Sequence, residues 1–133
     1  MDKAILVERD IEDGRRLLKA LDEAKSGAVP FRIRAAFWLY TTEWLEWRLV
    51  IATSLVDERG PRSAYTDVQA ILRSIQPPIG LSLQNLAVVS PSDPLVKMFK
   101  GAMRVAANSG GVRFTRNMVG GSFIEDAYIY RLP

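Results

Sequence analysis

Between Phe31 and Tyr40 every odd position is apolar, and a second strand-like run, Trp44 to Thr53, follows a polar break at Thr41-Thr42-Glu43. Apolar residues recurring at period two mark a strand with one face turned to a core, and two such runs across a short loop predict an antiparallel hairpin. With a three-residue loop at 42–44, Leu39 faces Trp47, Phe37 faces Leu49 and Ala35 faces Ile51, giving one continuous apolar face. Trp38 and Tyr40 then lie on the reverse face, opposite Arg48 and Glu46. A one-residue slip would mix the two faces, so this register, or one shifted by two, is expected.

The remaining periodicities place elements around this hairpin. Residues 7–26 predict a helix with a stripe of Val7, Ile11, Leu18 and Leu21, widened by Leu17 and Ala24 and ended by Gly27. Glu8, Arg9, Asp13, Arg15, Arg16, Lys19 and Glu23 form its opposite face, and Gly14 weakens its first turns. Gly60-Pro61 opens a second helix, buried through Ala64, Tyr65, Val68, Ile71, Leu72 and Ile75 and stopped by Pro77-Pro78. Leu83 to Ser90 reads as a central strand covered on both sides. Asp93-Pro94 caps a third helix with a stripe of Leu95, Met98, Phe99, Ala102, Met103 and Ala106, ending near Asn108-Ser109-Gly110-Gly111. A last hairpin turns at Gly120-Gly121, pairing Met118 with Phe123, Arg116 with Glu125, Phe114 with Ala127 and Val112 with Ile129. Its reverse face sets Arg113 opposite Tyr128 and Thr115 opposite Asp126.

The predicted order is α-β-β-α-β-α-β-β, three helices and a mixed five-stranded sheet in one α+β (or α/β) domain over residues 1–133. A chain of 133 residues is long enough to bury such a core without a disulfide or a metal. The apolar run in Met1–Arg9 is too short for a secretory signal, and no stretch approaches the roughly 20 apolar residues of a membrane span. The expectation is a cytoplasmic chain with no membrane partner.

The chain has no cysteine and no histidine. Thiol nucleophiles, thiolate zinc sites and Ser-His-Asp or Cys-His catalysis are therefore excluded within it. No GxxxxGK[ST] or GxGxxG loop is present, so no nucleotide cofactor is expected. Of 18 basic residues 13 are Arg, the residue that forks onto phosphates and carboxylates and stacks on rings.

Both hairpins, in their most apolar registers, leave Arg32, Arg34, Trp38, Tyr40, Arg48, Arg113, Tyr128 and Tyr130 off the core side, with Trp44 in the first loop. Tryptophan and arginine are common interface anchors, so these nine residues form the expected contact surface. The leading reading is a non-enzymatic module that pairs with itself or docks on another protein. A nucleic-acid surface, with arginines on phosphates and rings stacked on bases, is the alternative. A Mg²⁺-dependent nuclease using carboxylates among Glu43, Glu46, Asp57, Glu58, Glu125 and Asp126 is a second alternative. Glu46-Trp47-Arg48 resembles the acidic-x-Lys element of the restriction-endonuclease fold, with Arg in place of Lys. Ser90-Pro91-Ser92-Asp93-Pro94 lies where open sheets bind ligands, but Asp93 is expected to cap the helix rather than greet an anion.

Overall fold

A computed structural model describes residues 5–26, 29–107 and 109–133. Met1–Ala4, the expected helix stop at Gly27 and Asn108 lie outside the described residues. The chain runs α1 (Glu8–Glu23), β1 (Lys25–Ser26), β2 (Val29–Pro30), β3 (Ile33–Tyr40), β4 (Trp47–Thr53), α2 (Leu55–Arg59) and α3 (Pro61–Ser74). A 3-10 turn (Leu83–Asn85) then leads to β5 (Leu86–Val89), α4 (Pro94–Ala102), β6 (Val112–Val119) and β7 (Ser122–Arg131). The expected α+β class and element order hold. The additions are the five-residue α2 and the two-residue β1 and β2, which pair with each other.

One mixed sheet of order β5-β4-β3-β7-β6 organises the molecule. β4 and β5 are parallel, as the crossover through α3 requires, and the other neighbours are antiparallel. On one face Ala36, Trp38, Leu49 and Ile51 pack with Leu17, Leu18 and Leu21 of α1 and Ala64 and Val68 of α3. On the other Ala35, Phe37, Leu39, Val50 and Ile129 pack with Val96 and Phe99 of α4. Phe37 and Phe99 meet with ring centroids 4.6 Å apart. The sheet is therefore the middle layer of three.

This two-sided burial corrects the register expected for the first hairpin. β3 and β4 pair as Tyr40↔Trp47, Trp38↔Leu49, Phe37↔Val50 and Ala36↔Ile51, one residue away from the expected pairing. Leu39 faces α4 while Trp47 faces α1 and α3. A one-residue slip is forbidden only where one face is wet; here both faces are apolar, so the pattern cannot choose. The loop is correspondingly longer, spanning 41–46, and is closed by the Leu45 amide on the Thr41 carbonyl at 2.9 Å. In the second hairpin the expected pairs Met118↔Phe123, Phe114↔Ala127, Val112↔Ile129, Arg113↔Tyr128 and Thr115↔Asp126 all form. Gly120 and Gly121 supply the φ angles of +55° and +81° that the tight turn demands. Arg116, at φ +46°, leaves the ladder, so its expected pairing with Glu125 is not made.

Gly14 is explained by close approach rather than by a weak helix. The Trp38 indole N–H donates to the Tyr130 hydroxyl at 2.8 Å, and that hydroxyl donates to the Ile11 carbonyl of α1 at 2.6 Å. A methyl group on Gly14 would overlap the Tyr130 hydroxyl and press on the Trp38 nitrogen. Asp13, placed by periodicity on the solvent side, is instead buried and accepts the Gly80 amide at 2.9 Å. Asp93 caps α4 as expected, accepting from the Leu95 amide at 2.9 Å, with Pro94 in the first turn.

Gly14→Ala is expected to cost about 1–3 kcal/mol of stability by overpacking, read from urea unfolding. In a Tyr130→Phe background the same change should cost measurably less, because the overlapping oxygen is gone. Costs that add to within about 0.5 kcal/mol would refute the close approach.

Candidate interaction surface

The nine residues expected on a contact surface separate into three groups. Trp38, Tyr40 and Tyr130 are 2%, 7% and 6% exposed, under α1 and α3 or against their own neighbours. They are not on an open face, because the helices expected beside the sheet cover the side on which these rings stand. Tyr40 packs on Trp47 with centroids 5.8 Å apart. Tyr128 is half-buried, edge-on to Tyr130 at 5.3 Å, and donates its hydroxyl to the Gly110 carbonyl at 2.8 Å.

Arg113 forms the second group with Asp126. The guanidinium donates twice to that carboxylate, at 2.7 and 2.8 Å, and lies 5.4 Å from the Trp47 ring centroid. Asp126 is buried and also accepts from the Thr115 hydroxyl at 3.3 Å. A buried carboxylate needs such partners, since stripping one away leaves an uncompensated charge. The bond to Asp126 raises the Arg113 pKa against the opposing effect of partial burial. This pair locks β6 to β7.

The third group reaches the surface, with Trp44 and Arg48 half-buried. Arg32, at φ +50°, and Arg34 are exposed at the start of β3. At the opposite end of that strand the Trp44 amide donates to the Thr41 hydroxyl at 3.0 Å, fixing the loop that presents the indole. Arg48 stacks over the Trp44 ring at 4.9 Å while its Nε donates to Glu46 at 3.0 Å. Trp44, Leu39, Leu95, Phe123 and Ile124 line a cleft of about 360 Å³ that also carries Glu43 and Glu125. Around it Leu45 is 59% exposed, Phe123 58% and Met118 59%. Met118 and Phe123 are cross-strand partners beside the Gly120-Gly121 turn, so their side chains form one patch.

Of this surface the residues themselves announced Trp44 and Arg48. Leu45 falls in the expected second strand, Leu95 in the buried stripe of the third helix, and Met118 and Phe123 on the apolar side of the last hairpin. The signal for Met118 and Phe123 is their place beside the Gly120-Gly121 turn, at the end of the sheet.

The six carboxylates considered for a metal do not converge. Glu43 and Glu125 share the cleft, Asp126 is held by Arg113, and Asp57 accepts from the Ser90 hydroxyl at 2.9 Å. Among the described residues no three acidic side chains are grouped to hold an ion. Also among them, no helix is long and apolar enough to cross a membrane. Comparison with protein-family models, curated proteins and solved structures finds no match to this chain.

Burial disfavours the Tyr130 phenolate and pushes its pKa far above the ordinary value of 10.0. The folded form thus holds this proton more tightly than the unfolded form. The associated stability is complete below pH 10 and falls as pH rises beyond it. The urea midpoint should drop between about pH 9 and about pH 11 more steeply in the wild type than in Tyr130→Phe. Parallel slopes in the two proteins would place the phenol in water.

Proposed function

We propose that this chain is a protein-interaction module that pairs with a second copy of itself through the end of the sheet where the 41–46 loop meets the β6–β7 turn. The observation that carries this reading is the exposed cross-strand pair Met118 and Phe123, of which Phe123 lines the Trp44 cleft, with Leu45 exposed next to Trp44 in the loop. Isolated exposed apolar side chains are ordinary, but an exposed apolar pair at the rim of a cleft marks a contact site. Trp44 supplies a rigid anchor whose stacked Arg48 is already oriented, the residue pair that most often dominates interface energy.

The charges favour a self-pairing. Glu43 and Glu125 line the cleft, while Arg48 lies over Trp44 and Arg116 sits two residues from Met118 on β6. An isologous interface brings each patch against its own copy, so a surface bearing both signs can complement itself where a single-sign patch would repel. The absence of histidine and cysteine agrees with a role in binding rather than in nucleophilic or acid–base chemistry near neutral pH. A base-stacking surface, by contrast, needs open ring faces, and Trp38, Tyr40 and Tyr130 are buried.

Light scattering should give twice the chain mass of 14.9 kDa. Phe123→Glu should return the monomer without changing the far-ultraviolet circular dichroism, and Trp44→Ala should weaken the dimer by about tenfold or more. A wild-type monomer at about 100 µM would overturn the reading. So would a dimer indifferent to both substitutions, or a monomer carrying nuclease-sensitive material.

A further inference from the structure

A second cleft, of about 330 Å³, opens between α1 and the segment before β6, at the C-terminal end of β7. Arg15 and Lys19, four residues apart and so on one side of α1, form one wall. Gly110 and Gly111 form the other, Tyr130 and Leu18 contribute apolar surface, and Arg131 lies at one end beside Asp22. The lining thus holds three cations and one carboxylate. That carboxylate is already engaged: Arg131 grips Asp22 through both terminal nitrogens, at 2.9 and 2.6 Å. The same side chain also donates to the Ile33 carbonyl at 3.3 Å, so Arg131 is fixed in place as a source of positive charge.

Arg15 is set in place by three contacts. It pairs with Glu12 at 2.6 Å, approaches the Tyr128 hydroxyl at 3.4 Å and lies 6.0 Å from the Tyr130 ring centroid. The Tyr128 hydroxyl in turn donates to the Gly110 carbonyl, tying the glycine wall to the arginine wall. Gly111 has no room for a side chain, because a methyl group there would strike the Tyr128 ring and hydroxyl. The walls are therefore positioned by the tyrosine pair before any ligand arrives.

We propose that this cleft binds a small phosphorylated molecule. Lys19 offers an exposed ammonium, and Arg15 keeps N–H groups beyond its bonds to Glu12 and Tyr128, so the two supply point-like and guanidinium donors that phosphate oxygens accept, while Arg131 adds positive charge at the end of the cleft. The volume lies at the small end of the range for ligand sites, which fits a phosphate monoester or diphosphate with a compact body. Phosphate could also arrive as part of a polynucleotide, but a cleft of about 330 Å³ with its cations at one site offers no extended track for a chain.

The test uses the full-length protein with sodium pyrophosphate as probe, titrated calorimetrically at constant ionic strength, and a short single-stranded oligonucleotide in a parallel arm. Saturable pyrophosphate binding is expected, weakened about tenfold by Lys19→Ala and by Arg15→Ala. Arg62→Ala, an exposed cation on α3 away from the cleft, should leave it unchanged. Lys19 is exposed, so its variant folds even if changes at Arg131, which joins α1 to β7, do not. Three results would overturn the proposal: no saturable binding, equal weakening by Arg62→Ala, or cleft-dependent binding of the oligonucleotide without binding of pyrophosphate.

Discussion

β3 is hydrogen-bonded on both edges and buried on both faces, and the architecture follows from satisfying those conditions together. Ala35 through Tyr40 form six consecutive buried residues between β4 and β7. The paired edges settle the backbone donors and acceptors. The faces still demand cover, since Phe37, Trp38 and Leu39 each contribute about 1.5–3 kcal/mol only if water is excluded from them. α1 and α3 exclude it on one side and α4 on the other. Ala35 and Ala36 let the layers close where the large side chains do not.

Helix cover is unequal, and the inequality places the candidate surface. α4 has nine residues, a rod of about 13 Å. β7 has ten, a span of about 33 Å. α4 nonetheless reaches the turn end, where a methyl group on Gly120 would meet Met98 and where Val119 and Ile124 are buried. Met118 and Phe123, their neighbours along β6 and β7, are left uncovered. The cleft with Arg15, Lys19 and Arg131 lies beside α1 at the other end of the same strand. Along β7 Asp126, held by Arg113, lies between the two.

How far the fold was legible follows from which faces meet solvent. The second hairpin was readable in all but its Arg116–Glu125 pair, because its edge strand is exposed and its turn is fixed by Gly120-Gly121. The three longer helices were readable because each shows solvent a polar side, with Asp93-Pro94 and Gly60-Pro61 marking two of their starts, although α4 ends at Ala102 rather than near Asn108. β3 and β4 defeated the same reasoning. Alternation identifies a core face only by contrast with a polar one, and here Trp38 and Tyr40 are as buried as Phe37 and Leu39. That single assumption of one wet face produced both the slipped register and the open basic-aromatic surface. Trp44 was found because a tryptophan in a polar loop needs no register argument. The second cleft was not legible, because Arg15, Arg131 and Gly110 meet only through tertiary packing.

The contact between Gly14 and Tyr130 also orders the ways in which this sequence can drift. The hydroxyl at 130 and any side chain at 14 exclude one another, although the two positions lie near opposite ends of the chain. A lineage that gains a methyl group at 14 first must pass through a strained intermediate, whereas one that first loses the hydroxyl passes only through an unpaired Trp38 donor. The second route is the milder, so among divergent copies of this chain a phenylalanine at 130 should precede any alanine at 14. The history of the two sites is thus directional, written by the volume of one oxygen atom.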